Sequence, residues 1–177
     1  GYGLSMTPLQ VAQAYAVLAG DGLSRPISLV RVDKPPIARR VVGPETARNV
    51  VAMLEQVVTT EGTGIKANVT GYRVAGKTGT AQTTPERPPY AWFTSFAPAD
   101  DAQIAVAVVI EEAPDTARDD IAGGRLAAPV AKAVMEAVLA LAGDSRAPAT
   151  GAYLCLVGTG CDDMDAPIAL EHGAIHL

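Results

Sequence analysis

The run GYRVAGKTGTAQ, residues 71–82, sets one lysine and two threonines among three glycines in a stretch that otherwise reads as a β-strand. Side chains alternate along a strand, so Thr78 and Thr80 share a face and their hydroxyls can jointly hold a carboxylate. Lys77 adds a positive point charge beside them. Glycines in a strand let a ligand or another backbone approach closely. The N–H groups of an edge strand can pair with an extended peptide, and one of them can stabilise an oxyanion. The same residues also fit a plainer reading, a tight turn closed by glycines with an exposed lysine.

Working outward, strands are expected on the C-terminal side. AWFTSFAPA (91–99) and QIAVAVVIEEA (103–113) are β-branched and aromatic, and a short ADDA turn joins them. A proline-rich loop, TTPERPPY (83–90), separates them from the 71–82 strand. On the N-terminal side, GPETARNVVAMLEQVVTTEGTG (43–64) predicts a helix. Pro44 sits early, Glu45 suits the positive end of the helix dipole, and Ala47, Val50, Val51, Leu54, Val57 and Val58 make an apolar stripe. Further upstream, SMTPLQVAQAYAVLAGDG (5–22) carries a complete helix start: Thr7 as N-cap, Pro8 in the first turn and Gln10 closing a capping box. Leu9, Ala12, Tyr15, Ala16 and Leu18 form its apolar face. RPISLVRVDKPP (25–36) reads as a strand or extended arm, and PDTARDDIAGG (114–124) as a polar loop. RLAAPVAKAVMEAVLALAG (125–143) predicts a last helix, with Val130, Val134, Val138 and Leu141 on one side. Consecutive strands with short connections, flanked by helices, give an α+β fold with an antiparallel sheet covered by helices.

Composition limits what such a domain does. The chain has 177 residues, room for one domain, and is 49% hydrophobic with only 5% aromatic, so its core is built mainly from Val, Ala and Leu. The net charge of −5 without a basic cluster argues against nucleic acid, which needs a Lys/Arg surface. No apolar run reaches the roughly 20 residues of a membrane-spanning helix. The opening at Gly1 reads as the middle of a larger protein, with room upstream for an anchor. The boundaries read as 1–143 for the folded unit and 144–177 for a Gly-, Ala- and Asp-rich tail, expected to be partly disordered.

The KTG of Lys77, Thr78 and Gly79 is also the third signature of penicillin-binding proteins and serine β-lactamases. Its surroundings strengthen that reading. GYGLSMTPLQVAQAYAVLAGDG, GTGIKANVTGYRVAGKTGTAQ, FAPADD with IAVAVVIEE, and GGRLAAPVAKAVMEAVL follow one another as in the class B penicillin-binding proteins of cell division and elongation. The chain thus resembles the C-terminal half of their transpeptidase domain over residues 1–142, a partial penicillin-binding protein/serine β-lactamase-like fold. The resemblance implies a peptidoglycan D,D-transpeptidase. A serine attacks the penultimate D-Ala carbonyl of a stem pentapeptide, D-Ala leaves, and an amine from another stem resolves the acyl-enzyme. β-Lactams mimic the D-Ala-D-Ala end. It implies Lys77 and Thr80 as catalytic residues, and Lys77, Thr78, Gly79 and Thr80 as the substrate-binding set. The hydroxyls would hold the substrate carboxylate, and the Thr80 N–H would form half of an oxyanion hole. It further implies the bacterial cell envelope, on the extracytoplasmic face of the inner membrane, as location. Partners are stem peptides, β-lactams, the upstream half of the same protein and other cell-wall synthesis proteins. No cofactor and no metal are expected.

One departure is specific. None of Ser5, Ser24, Ser28, Ser95 and Ser145 has a lysine three positions later, and no S-x-N motif occurs. The nucleophile and its base are therefore expected outside these residues, and the chain alone is expected not to acylate. The alternatives are a catalytically dead fragment or relative that keeps a peptide-binding strand, and a β-lactamase or carboxypeptidase of the same superfamily. In the tail, Cys155, Cys161, His172 and His176 sit at a spacing that departs from zinc fingers. A Cys155–Cys161 disulfide is a competing reading in an oxidising compartment, and no role is the third. Trp92, Phe93 and Phe96 read as core, with a cleft lining as the other option.

Overall fold

A computed structural model describes residues 3–28, 30, 32, 34, 36–112, 116–142, 153–159 and 175–176. Helix α1 spans Pro8–Ala19 and starts as the sequence predicts. The Thr7 hydroxyl accepts from the Gln10 N–H at 3.2 Å while the Gln10 carboxamide accepts from the Thr7 N–H at 2.8 Å. Two N–H groups that no helical carbonyl can reach are thereby satisfied. Helix α2 spans Pro44–Gln56, and α3 spans Ala127–Ala142. Two-residue strands β1 (Leu23–Ser24) and β2 (Arg39–Arg40) pair antiparallel. They bracket the 25–36 segment, in which none of the described residues belongs to a strand.

The central sheet contains β3 (Ala75–Ala81), β4 (Tyr90–Ala97) and β5 (Ile104–Ile110), in that order and antiparallel. The meander expected from the sequence is the one observed. Two further strands lie in the stretch read as a tail. β6 (Tyr153–Thr159) runs parallel beside β5, and β7 (Ile175–His176) pairs antiparallel with β6. Cys161 and His172 lie outside the described residues, and the disulfide and zinc readings with them.

Alternation along the sheet explains its two faces. Phe93, Val106 and Val108 point to one side, where Ala127, Ala131, Val134, Met135 and Leu139 of α3 cover them. Ala75, Phe96 and Ala105 point to the other, under Tyr15 and Leu18 of α1 and Val51 and Leu54 of α2. Helix, sheet and helix form three layers, the usual solution for a sheet apolar on both faces. Phe93 and Phe96 are fully buried and anchor opposite faces, which settles them as core. Truncating either to alanine is expected to cost about 3–5 kcal/mol. The face of α3 is wider than the sequence expectation: Val134 is buried and Val130 and Val138 pack against the core, as the stripe predicts. Its buried residues follow 127, 128, 131, 134, 135 and 139, whereas Leu141 is 62% exposed. Small alanines, invisible to a stripe drawn on bulk alone, let α3 lie close on the sheet.

Candidate functional site

The lysine–threonine run forms β3, which stands at the outer edge of the described sheet. β4 pairs with it from Ala75↔Phe96 to Ala81↔Tyr90. Lys77 Nζ donates to the Thr78 carbonyl at 2.9 Å, so that carbonyl faces the open edge rather than β4. In an antiparallel ladder, residues whose N–H and C=O both turn outward alternate with residues bonded to the partner. Thr80 therefore presents its N–H and C=O to the same edge as Thr78. Thr78 and Thr80 also share the sheet face of their cross-strand partners Phe93 and Ala91. Thr78 is half-buried and Thr80 exposed, so neither hydroxyl is sealed beneath α3.

Lys77 is placed differently from its threonines. Alternation puts its Cβ on the opposite face, with Gly79 and Trp92. Only the flexible stem brings the ammonium back to the edge, 3.5 Å from Thr78 Oγ1. The charge and the Thr78 hydroxyl thus converge at the strand edge rather than on one face of it. A Cβ on Gly79 would come within 3.2 Å of Trp92 Cβ.

Two neighbouring loops close on this strand; both lie within stretches that carry the resemblance, but no residue pattern in them points to a contact with β3. Thr63, in the turn after α2, places Oγ1 2.9 Å from Thr78 Oγ1. The Gly123–Gly124 pair ahead of α3 lies directly against both. A Cβ on Gly123 would fall 1.9 Å from the Trp92 carbonyl oxygen, and one on Gly124 would fall 1.9 Å from the Thr63 carbonyl oxygen. The available signal is the glycine itself, since these backbones meet at a distance only glycine permits. Beyond β3, the 82–89 loop is tied down by Arg118. Its guanidinium donates to the Arg87 carbonyl at 2.6 Å, to the Thr84 carbonyl at 3.3 Å and to Gln82 Oε1 at 3.0 Å. Arg87 in turn pairs with Glu111 at 2.7 Å, and that carboxylate holds the Arg87 guanidinium above its ordinary pKa. No cluster of three or more metal-ligating side chains occurs among the described residues. A shallow polar concavity of about 340 Å³, lined by Glu55, Tyr72 and Arg73 among others, lies before β3 rather than beside Lys77. The geometry of the edge strand picks out the candidate site.

A helix–sheet–helix domain with a KTG run on its edge strand is what a penicillin-binding protein or serine β-lactamase fold would present. The family model for the penicillin binding protein transpeptidase domain matches residues 1–136. The chain belongs to this family and covers part of its domain. It is 40% identical over 144 residues to the peptidoglycan D,D-transpeptidase FtsI of Escherichia coli K12, across 78% of this chain and 24% of that protein. It is 37% identical over 150 residues to the peptidoglycan D,D-transpeptidase PbpA of Mycolicibacterium smegmatis, across 77% of this chain and 30% of that protein. The apo transpeptidase domain of Burkholderia pseudomallei penicillin-binding protein 3 superposes with a TM-score of 0.66 at 35% identity, over 84% of this chain and 46% of that one. The chain thus spans about a quarter to a third of these curated relatives and about half of the solved domain.

Proposed function

We propose that this chain supplies the substrate-binding strand of a serine-type peptidoglycan D,D-transpeptidase that β-lactams acylate. The observation that carries the reading is the edge of β3, where the Lys77 ammonium meets the Thr78 hydroxyl and the outward backbone of Thr78 and Thr80. A stem peptide ending in D-Ala-D-Ala lies along this edge as an added strand. Its terminal carboxylate accepts from the Thr78 and Thr80 hydroxyls. The scissile carbonyl oxygen turns toward the Thr80 N–H, which stabilises the negative charge as the tetrahedral intermediate forms. The nucleophilic serine and its base come from outside residues 1–177, because no serine here has a lysine three positions on. That serine's oxygen bonds to the penultimate D-Ala carbonyl carbon, the peptide C–N bond breaks, and the departing D-Ala amine takes up the proton. An amine from a second stem then displaces the serine.

The setting that follows is the bacterial cell envelope, with catalysis on the extracytoplasmic face of the inner membrane. The partners are stem peptides, β-lactams, the upstream half of the same protein and other cell-wall synthesis proteins. The missing serine motif favours one competing reading, a catalytically dead module that retains peptide binding. D-Alanine release from a stem pentapeptide by the full-length protein decides between them. Wild type is expected to release D-alanine, and Lys77→Ala to lose on the order of 100-fold or more at unchanged melting temperature. No release by wild type would leave the binding module as the better account.

A further inference from the structure

We infer that Thr63 is a positioning residue of the carboxylate site. It acts through Thr78 and frees the Thr78 hydroxyl proton for the ligand. The inference rests on the reading of β3 as the substrate strand. Thr63 Oγ1 and Thr78 Oγ1 lie 2.9 Å apart, a full hydrogen bond across 15 positions of sequence. Thr78 Oγ1 carries one proton and two lone pairs. Lys77 Nζ, 3.5 Å away, is a donor only and cannot take that proton. Thr63 is the other neighbour, and its role sets the direction of the Thr78 O–H. When Thr63 donates, Thr78 accepts on one side and keeps its proton for an anion on the other. An arriving carboxylate accepts hydrogen bonds only, so it selects this direction: Thr63 to Thr78 to carboxylate.

The backbone around Thr63 is built to hold that aim. The Gly64 N–H donates to the Val57 carbonyl at 2.8 Å. A Cβ on Gly62 would fall 2.1 Å from that same carbonyl oxygen, and one on Gly64 would fall 2.8 Å from the Phe93 ring. Gly124 presses on the Thr63 carbonyl from the other side. The three-residue turn is thus clamped between the end of α2, the core aromatic of β4 and the approach to α3. Thr63 itself is exposed, so its hydroxyl is fixed by its backbone rather than by burial of its side chain. Nothing in a linear reading of residues 62–64 connects them to residue 78.

The test uses the full-length protein that carries this chain. It compares acylation by benzylpenicillin with acylation by its methyl ester, which lacks the carboxylate. The variants are Thr63→Val, Thr63→Ser, Thr78→Val and the Thr63→Val/Thr78→Val pair, each with its melting temperature. Thr63→Val is expected to lose about 3- to 10-fold with the acid and little with the ester, through the half-saturation concentration rather than the limiting rate. Thr63→Ser keeps the hydroxyl and is expected to stay within about 2-fold of wild type, which a purely steric role would not predict. The double variant is expected to be no worse than Thr78→Val alone. Additive losses would mean that Thr63 touches the ligand itself, and would overturn the relay. An effect of Thr78→Val with none of Thr63→Val would remove Thr63 from the site and leave the reading of β3 standing. If Thr78→Val leaves both substrates unchanged, the carboxylate reading of β3 falls and the Thr63 role with it.

Discussion

At the scale of residues, the hydroxyls of β3 are separable from its backbone. Replacing Thr80 by Val keeps volume and strand preference nearly intact, although the lost hydroxyl makes the pair only nearly isosteric. What is lost is one hydrogen bond to a charged group, worth about 1.5–3 kcal/mol. That corresponds to about a 10- to 150-fold drop in β-lactam acylation efficiency of the full-length protein if the contact persists in the transition state. The Thr80 N–H remains on the open edge, so activity should fall without vanishing. Thr78→Val should behave alike, and the double variant should lose less than the sum if both hydroxyls hold one carboxylate. Unchanged acylation in both single variants would return this stretch to a glycine-closed turn with an exposed lysine. Tyr15 gives a second test, independent of function. Burial of its ring from α1 against the sheet and α2 raises its phenol above the usual 10.0, so the folded state holds its proton where the unfolded chain has lost it. Its contribution is therefore full below about pH 10 and is lost as pH climbs through the raised value. Melting curves from pH 8 to 11 should show Tyr15→Phe gaining on wild type only above about pH 10. A constant difference across that range would mean that burial does not shift this phenol.

Elements carry the next level, because the loops beside β3 decide how firmly its edge is presented. Arg118 donates to two carbonyls and one carboxamide of the 82–89 region, while Thr83 Oγ1 donates to the Arg87 and Pro88 carbonyls at 2.6 and 2.9 Å. Removing the guanidinium leaves that loop held from one side only. Arg118→Ala is expected to raise hydrogen exchange in residues 83–88 of this chain by about 10-fold while β4 and β5 stay protected. Exchange unchanged in that segment would show that the Thr83 contacts alone fix it. Gly123→Ala is the harsher change, since a Cβ must displace the Trp92 carbonyl or the Gly79 backbone. A loss of about 1–3 kcal/mol in urea unfolding is expected, and a neutral result would mean that the 121–126 turn moves aside freely. The same loops mark where sequence stops being informative. The capping box of α1, the three strands of the meander and the KTGT edge are local patterns, and local patterns can be read from a chain. The Thr63–Thr78 contact, the Gly123 approach and the Arg118 tie join residues 15 to 44 positions apart, through folding alone. Size alone places Leu141 in the core stripe, yet it is exposed and alanines widen the contact face of α3. β6 was unreadable because a strand that pairs parallel across a long connection shows neither a tight turn nor a clean alternation.

For the molecule as a whole, the decisive point is what residues 1–177 do without the rest of a transpeptidase domain. The chain covers 46% of the solved Burkholderia domain, and it exposes large apolar side chains such as Leu4 at 81%, Ile37 at 93% and Met53 at 67%. It holds Lys77 and both threonines, but none of its serines has a lysine three positions on. Ser95 lies closest in the sheet, opposite Gly76, yet it is fully buried and its hydroxyl donates to Met135 Sδ at 3.5 Å. Ser28 donates to the Val30 carbonyl at 2.6 Å. Ser5 and Ser24 have Pro8 and Ile27 three positions on, and Ser145 has Pro148. A serine hydroxyl without a positioned base is a poor nucleophile at neutral pH. The isolated chain should therefore take up no fluorescent penicillin on a denaturing gel, while the full-length protein labels on a serine outside these residues. Mass spectrometry locates the adduct. A penicilloyl group on any of the five serines, formed by folded chain and lost on unfolding, would mean that the chain completes its own catalytic site and that its nucleophile needs no lysine three residues away.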